Sequence, residues 1–425
     1  MFIDDKKIHP VKSAKGGVLQ EAKQFDRVNE ILNRGVEEVI ERESLSKKLN
    51  SGKRLRVKFG IDPTSPYLHL GHTVPLRKLR QFQDLGHTAV LVIGDFTARI
   101  GDPTGRSEER KTLTPEQVKE NMKEYLRQAA KVLDINFSIF GKAKHTSRFE
   151  ARYNESWFGR EGLEPVMKTA RSATINQVIQ RADFKKRLDE GGSVSVLESL
   201  YPIMQGYDSV EVKADVEIGG SDQKFNLLMG RQVQKHFDMD EQDILTLPLL
   251  EGTDGVKKMS KSFGNYIALD EKPSEMFGKV MSIPDNLIIK YCELLTDLNI
   301  EDIKKIQNPR DQKAMLAKEI VKMYHGEKEA QKSEEEFNQT FKQGELPSEI
   351  KVFKTDKKTY PILDLLFDSE LAESKNDAKR VVDGGGVTAH HGTSWEIKDW
   401  KKEVVIEDGM VIQFGKRKFI KIKLK

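Results

Sequence analysis

The amino-acid sequence predicts an α/β protein built on a parallel sheet, followed by a helical region and a small α+β tail. Three observations carry that prediction. Strand-type apolar segments alternate with helical patterns through the first part of the chain. From about Ser274 to Phe341 glycine becomes sparse and the pattern turns helical and highly charged. From Pro361 onward short strand patterns return, next to a basic terminus.

In chain order, Phe25, Val28, Ile31, Leu32, Val36, Val39 and Ile40 recur at helical spacing and predict an N-terminal helix. Leu55, Val57, Phe59 and Ile61 alternate as in a strand, which Asp62-Pro63-Thr64 ends because proline cannot continue the ladder. After His69-Leu70-Gly71-His72 a helical pattern runs through Leu76, Leu79, Phe82 and Leu85 and closes at Gly86-His87. Ala89 to Ile93 is a continuous apolar run, the mark of a strand buried on both faces. Thr114-Pro115-Glu116-Gln117 offers an N-cap, a proline at the first helical position and a capping-box partner. Lys342 to Tyr360 has charges, Gly344 and Pro347 but little apolar periodicity, and reads as a linker. Beyond it Ile362, Leu363, Leu365 and Leu366 restore helical spacing, and Ser374 caps a short helix through Val382. Gly384-Gly385-Gly386 makes a turn, and Val404, Ile406, Val411, Ile412 and Phe414 suggest small strands.

The chain of 425 residues is long enough for two or three domains. With 37% hydrophobic and 32% charged residues it has the composition of a soluble globular protein. No apolar run approaches the roughly 20 residues needed to cross a bilayer. Met1 to Gln20 is polar and Lys-rich, contains Asp4 and Asp5, and lacks the features of a secretory or transit segment. The single cysteine, Cys292, excludes an intrachain disulfide and any Cys-cluster metal site, so a cytoplasmic location is the default. Net charge is only +4, yet Lys401 to Lys425 holds eight Lys/Arg against three acids. That local excess is the electrostatic footprint of phosphate binding, or of a solvated tail.

Two segments far apart carry the chemistry: His69-Leu70-Gly71-His72 and Lys258-Met259-Ser260-Lys261-Ser262. Alone, two histidines three apart are a zinc pair or helix-start residues, and the lysine segment is a polar turn. Together, in this order and after a strand–loop–helix pattern, they resemble the two signatures of class I aminoacyl-tRNA synthetases. The reaction that this resemblance implies joins an amino acid's carboxylate to the α-phosphorus of ATP and releases pyrophosphate. A carboxylate is already a nucleophile, so the protein has to align the attack and stabilise charge spreading onto phosphate. A helix N-terminus after Gly71 offers free N–H groups, and the glycine leaves room for the nucleotide. His69 and His72 donate to phosphate oxygens. Lys258 and Lys261, between Gly255 and Gly264, are mobile charges able to close over pyrophosphate. The phosphate-binding glycine loop of Walker A is absent.

Tyr201-Pro202-Ile203-Met204-Gln205-Gly206-Tyr207-Asp208, Gly219-Gly220-Ser221-Asp222-Gln223 and Ile100-Gly101-Asp102-Pro103 are similar to substrate motifs of the tyrosyl members of that family. Tyr201, Gln205 and Asp208 fall on one face of a helix; read alone, the segment has Tyr201 and Ile203 as core positions and Asp208 as a solvated cap. The resemblance implies that Asp208 accepts the tyrosine hydroxyl and that Asp102, Tyr201 and Gln205, assisted by Thr97, hold the ammonium group. It places Asp222 and Gln223 beside the ribose and the reacting carboxylate, with Gly219 and Gly220 allowing close approach. Asp62 and Thr64 line the mouth, Thr64 next to the phosphates. An Asp left unpaired by phenylalanine gives selectivity without an editing domain. Many bacterial members carry tyrosine where this chain has Lys58, so Asp208 is the main partner for the phenol. The sequence leaves open where Lys58 points.

The segment from about Pro361 to Lys425 resembles an S4-type RNA-binding domain, through Ser374 to Val387 and again through Asp408 to Phe419. The implied RNA contacts are Lys375, Lys379, Arg380, Lys416, Arg417 and Lys418, which would track phosphates. The resulting organisation is a Rossmann-like catalytic domain over 1–245, then the signature loop and an α-helical anticodon-binding domain over 246–345. A linker follows over 346–359 and an S4-like domain over 360–425. The partners implied are ATP with Mg2+ on its phosphates, L-tyrosine, tRNA(Tyr) and a second copy of the chain. The tryptophanyl enzymes share the two signatures, but the segments around Asp208 and Gln223 fit the tyrosyl pattern better. A non-catalytic RNA-binding protein on the same scaffold would be expected to have a damaged nucleotide site.

Overall fold

Thr88–Ile93 forms a strand with all six side chains buried, as its unbroken apolar run requires when helices cover both faces of a sheet. The structure, a computed structural model, describes residues 26–104, 113–137, 143–146, 148–160, 162–342, 350–415 and 418–424. Phe25, the Lys-rich segment Met1 to Gln20, residues 346–349 of the expected linker, Lys416, Arg417 and Lys425 lie outside these residues.

Two compact units are present, one from residues up to 272 with 282–316, the other from 273–281 with 317–425. The first holds a six-stranded sheet of β1 (Glu38–Ile40), β2 (Arg56–Ile61), β3 (Thr88–Ile93), β4 (Phe149–Tyr153), β5 (Val216–Gly220) and β6 (Asp243–Leu247). Their spatial order is β1-β6-β5-β2-β3-β4. Only β1 is antiparallel to its neighbour. From β2 the chain builds outward through β3 and β4, then returns to build the other way through β5 and β6. Strand order therefore reverses between β2 and β5, and a crevice opens at their carboxyl ends, where open α/β sheets bind ligands.

Three helices position that crevice. Helix α1 (Leu70–Asp84) follows β2 and stops before Gly86, whose φ of +93° no ordinary residue adopts cheaply. Helix α2 (Val196–Glu211) starts with a capping box between Ser195 and Glu198. Helix α3 (Lys224–His236) follows β5. It meets α2 at Gly206, where a Cβ would lie 2.7 Å from Val233 Cγ2 and 3.2 Å from the Met229 carbonyl oxygen. The expected Thr114–Gln117 capping box is present on the helix Pro115–Met122.

The N-terminal helical pattern is only partly realised. A helix covers 26–33, but the chain turns at Gly35 (φ +61°), and Val39 and Ile40 belong to β1, paired with β6. Helix and strand cannot be told apart from so short an apolar run, and the glycine decides.

In the second unit the rings of Phe277 and Phe337 meet at a tilt of 50° with centroids 5.4 Å apart, joining the helices Pro273–Met281 and Glu327–Lys342. The same unit contains a five-stranded sheet ordered β10 (Thr393–Glu396), β9 (Val387–His391), β12 (Val411–Phe414), β13 (Lys418–Leu424), β7 (Lys351–Thr355). A two-stranded sheet pairs β8 (Thr359–Pro361) with β11 (Glu403–Val405). Helices α4 (Ile362–Asp368) and α5 (Lys375–Asp383) pack on a core that includes Ile362, Leu365, Val382, Ala389, Ile412 and Ile420. Ser374 caps α5 as expected, its Oγ accepting the Asp377 N–H at 3.1 Å. One expectation is corrected. Lys351–Thr355, inside the expected linker, is a strand parallel to β13. Its own residues carry no pattern; the partner strand supplies the hydrogen bonds that make it a strand. No helix among the described residues is long and apolar enough to cross a membrane.

Candidate active site

The crevice between β2 and β5 opens into a cleft of about 740 Å3. Every nucleotide-site and tyrosine-site residue expected from the sequence borders it. The cleft has two chemically different ends.

At one end the two distant signature segments meet. The backbone N–H of Leu70 donates to the Ile267 carbonyl at 3.0 Å, and a Cβ on Gly71 would sit 3.6 Å from Met259 Cβ. The start of α1 and the lysine loop therefore lie in ordinary contact at Gly71, and the tight approach there is to the His69 ring, 3.0 Å from such a Cβ. His72 Nδ1 accepts the backbone N–H of His69 at 3.1 Å, which leaves the His72 proton on Nε2. Burial pushes His72 down to about 4, and burial together with His72 and Lys261 holds His69 well below the usual imidazole range. Both rings are therefore neutral donors near pH 7, and the positive charge at this end belongs to the lysines. Lys258 Nζ pairs with Asp222 Oδ2 at 2.9 Å. Lys261 Nζ stands 4.3 Å from the Tyr67 ring centre and 5.7 Å from that of Tyr266. Partial burial lowers its pKa. The loop is held by Asn265, whose Oδ1 accepts the Ser260 N–H at 2.8 Å, and turns at Gly264 with φ +66°. Thr64 is tied to Asp62 by its backbone N–H, 2.8 Å from the Asp62 carbonyl.

At the other end α2 presents Tyr201, Gln205 and Asp208, with Tyr201 and Asp208 buried. Tyr201 donates its hydroxyl to Asp62 Oδ2 at 2.9 Å, and Thr97 donates to Asp62 Oδ1 at 2.8 Å. Burial, and then Asp62, push the Tyr201 phenol well above its usual range, so it stays a donor. Gly94 makes this arrangement possible, since any Cβ there would collide with Asp62 and Thr97. Asp102 accepts from Gln223 Nε2 at 2.7 Å and from the Thr104 N–H at 3.0 Å, with Arg181 3.8 Å away. Asn226 donates to Gln205 and to Gln223, at 3.0 and 2.8 Å. Asp208 accepts the Trp157 indole N–H at 3.0 Å and the Asn154 amide at 3.4 Å. Burial nevertheless wins over these donors and over the Lys58 charge, and pushes the carboxyl up to about 7.

Gly219 and Gly220 close β5; a Cβ on Gly219 would come within 3.0 Å of Leu227. Several residues of the site escaped sequence reasoning. Asn154 and Trp157 follow the carboxyl end of β4, where a parallel sheet puts functional groups, and that position was the available signal. Arg181 and Asn226 are recognisable only in three dimensions. Lys58, whose direction the sequence left open, turns away from solvent and pairs with Glu217 at 2.9 Å.

Of the expected RNA contacts, Lys375, Lys379 and Arg380 are exposed along α5. Lys375 pairs with Asp364 and Arg380 with Asp377, each at 2.7 Å, and Lys379 lies over the Trp400 ring at 4.2 Å. Lys418 donates inward to the Leu371 carbonyl at 2.9 Å. These residues belong to the second unit.

A sheet that forks at a histidine-led helix, with a lysine loop at one end of the fork and a carboxylate-lined pocket at the other, has the architecture of a class I aminoacyl-tRNA synthetase. The family model for class I tRNA synthetases (W and Y) matches residues 50–342. The tyrosine–tRNA ligase of Thermotoga maritima is 47% identical over 400 residues, covering 92% of this chain and 96% of that one. That of Carboxydothermus hydrogenoformans is 45% identical over 416 residues, covering 94% and 98%. Among solved structures, a C-terminally truncated mitochondrial tyrosyl-tRNA synthetase of Aspergillus nidulans aligns with a TM-score of 0.64 at 26% identity. It covers 78% of this chain and all of that one. The chain belongs to the tyrosine–tRNA ligase family.

Proposed function

We propose that the chain activates L-tyrosine with ATP to tyrosyl-adenylate and transfers the tyrosyl group to tRNA(Tyr). The observation that carries this reading is the meeting of His69, His72 and the Lys258–Lys261 loop with the Asp208 pocket in one cleft. The triphosphate lies against the start of α1, where Thr64, His72 Nε2–H and the free N–H groups face its oxygens. His69 shapes the same helix start, and Gly71 keeps it open. Lys258 and Lys261 move onto the pyrophosphate as charge develops there, Lys258 leaving Asp222 to do so. Asp222 is then free to receive the ribose, with Gly219 beside it.

Tyrosine enters with its phenol toward Asp208 and its ammonium group toward Asp102, Tyr201 and Gln205. Thr97 and Asp62 hold Tyr201 in place, and Gln223 steadies Asp102 near the carboxylate. The tyrosine carboxylate attacks the α-phosphorus and pyrophosphate leaves. Magnesium enters with the triphosphate, as part of the substrate. The tRNA backbone lies along the basic surface of the second unit, through Lys375, Lys379 and Arg380; Lys416 and Arg417 belong to the same S4-type reading. Lys418, exposed on β13 and bonded to the Leu371 carbonyl, belongs to the same reading.

A homodimer is the assembly best supported, because Leu163, Met167, Ile175 and Val196 leave large apolar side chains in water, Val196 78% exposed. Light scattering should return twice the mass of one chain. The cytoplasm is the proposed compartment. Amino-acid-dependent ATP–pyrophosphate exchange tests the reading: tyrosine should drive exchange. Exchange driven by tryptophan and not by tyrosine would refute it.

A further inference from the structure

Strands β2 and β5 are in register only at Val57–Val216 and Lys58–Glu217; beyond this second pair they part, and the cleft begins. Lys58 is fully buried and Glu217 nearly so, and their side chains bridge the fork at 2.9 Å. The same ammonium donates to the Gln205 carbonyl at 2.9 Å and to Ser209 Oγ at 2.7 Å. Those two atoms bracket the turn of α2 that carries Asp208. Glu217 completes the cluster. It accepts from Ser209 Oγ at 3.1 Å, from Gln205 Nε2 at 3.4 Å and from Gln242. Gly230 on α3 leaves the room, since a Cβ there would lie 3.0 Å from Glu217 Oε2.

An ion pair at such depth is costly to assemble and adds little net stability, so its position calls for a role in the site. Resting on the tyrosine-site reading above, we propose that Lys58 and Glu217 are positioning residues for tyrosine recognition, which clamp the Gln205–Ser209 turn and set the charge that Asp208 offers to the phenol. Of the charged and titratable groups around Asp208, Lys58 comes from β2 and Asp62 directly follows that strand, Glu217 comes from β5 through the shared cluster, and Tyr201 from the same helix. Lys58 favours the carboxylate and Asp62 opposes it. The carboxylate is the stronger acceptor for a phenol O–H, so the balance of this cluster decides how well tyrosine binds near neutrality.

The test is the pH dependence of the KM for tyrosine in pyrophosphate exchange, from pH 6 to 9. Wild-type enzyme, Lys58→Met, Glu217→Gln, the double variant and Asp208→Asn are compared. In the wild type KM should rise as pH falls through about 7. Lys58→Met should move that rise to higher pH by about one pH unit or more and raise KM near pH 7.5 about threefold or more. Glu217→Gln should move it to lower pH. The double variant, which removes both charges at similar volume, should fall between the singles, and it with Glu217→Gln decides the matter if Lys58→Met does not fold. The KM for ATP should stay within about twofold throughout. A purely structural role would not shift the two singles in opposite directions; unmoved profiles, or shifts in one direction, overturn the proposal alone. If Asp208→Asn retains the wild-type profile, the tyrosine-site reading itself fails, and this proposal with it.

Discussion

Asp208 shows how much a single side chain's surroundings decide. Two donors, Trp157 and Asn154, and a buried cation favour its charge, yet burial dominates and the carboxyl is pushed up to about 7 from an ordinary 3.8. The folded protein therefore holds a proton that the unfolded chain releases, and stability falls as pH rises from about 4 to about 7. Asp208→Asn lacks that proton. Its stability relative to wild type, read from thermal unfolding, should climb across the same range by about 2 kcal/mol or more between pH 5 and pH 8. A difference independent of pH would show that the carboxyl is ionised throughout. The same variant should bind tyrosine poorly, so stability and recognition are opposed at this residue. Asp208 was legible through the resemblance of its segment to the tyrosyl motif; the helical face shared with Tyr201 and Gln205 alone reads equally as core and cap. Lys58 was not. Alternation in Leu55 to Ile61 points to one buried face, but β2 is covered on both sides, and Val57, Lys58 and Phe59 are all buried. Periodicity cannot show which cation finds a partner inside; that depends on the register with Glu217.

Secondary-structure elements were read from sequence best where local chemistry is self-sufficient. The Thr114 and Ser374 caps, the stop at Gly86 and the apolar run of β3 each need only neighbours in the chain. Elements defined by a distant partner were missed, as with β1 on β6 and β7 on β13. The start of α1 joins both kinds: its glycine is local, but its contact with the lysine loop is not. Gly71→Ala tests how closely the nucleotide approaches this helix start. The added Cβ would stand 3.0 Å from the His69 ring and 3.6 Å from Met259 Cβ, inside a helix that otherwise prefers alanine by about 1 kcal/mol. Thermal stability should change by less than about 1 kcal/mol while adenylate formation slows by about tenfold or more. Unchanged adenylate formation would mean that the nucleotide does not press on this backbone.

For the molecule as a whole, the proposal that the first unit holds the cleft and the second the RNA predicts separable defects. Lys379→Glu reverses a charge on the exposed face of α5, whose cation lies over Trp400. It should raise the KM for tRNA severalfold, more so at low salt, and leave tyrosine-dependent pyrophosphate exchange untouched. Equal damage to both reactions would show that the second unit serves the cleft, not the RNA. The first unit depends on a different long-range fact. About 190 residues separate His69-Leu70-Gly71-His72 from Lys258-Met259-Ser260-Lys261-Ser262, and the fold brings them to one end of one cleft. That convergence was foreseen from the two signatures together, not from either alone. Its most direct test is single-turnover adenylate formation by Lys261→Ala at saturating tyrosine, with tyrosine Kd measured on the same protein. The rate should fall by about 10²–10³, while Kd stays within about twofold of wild type. A proportionate loss of tyrosine affinity, or a rate left unchanged, would contradict the account.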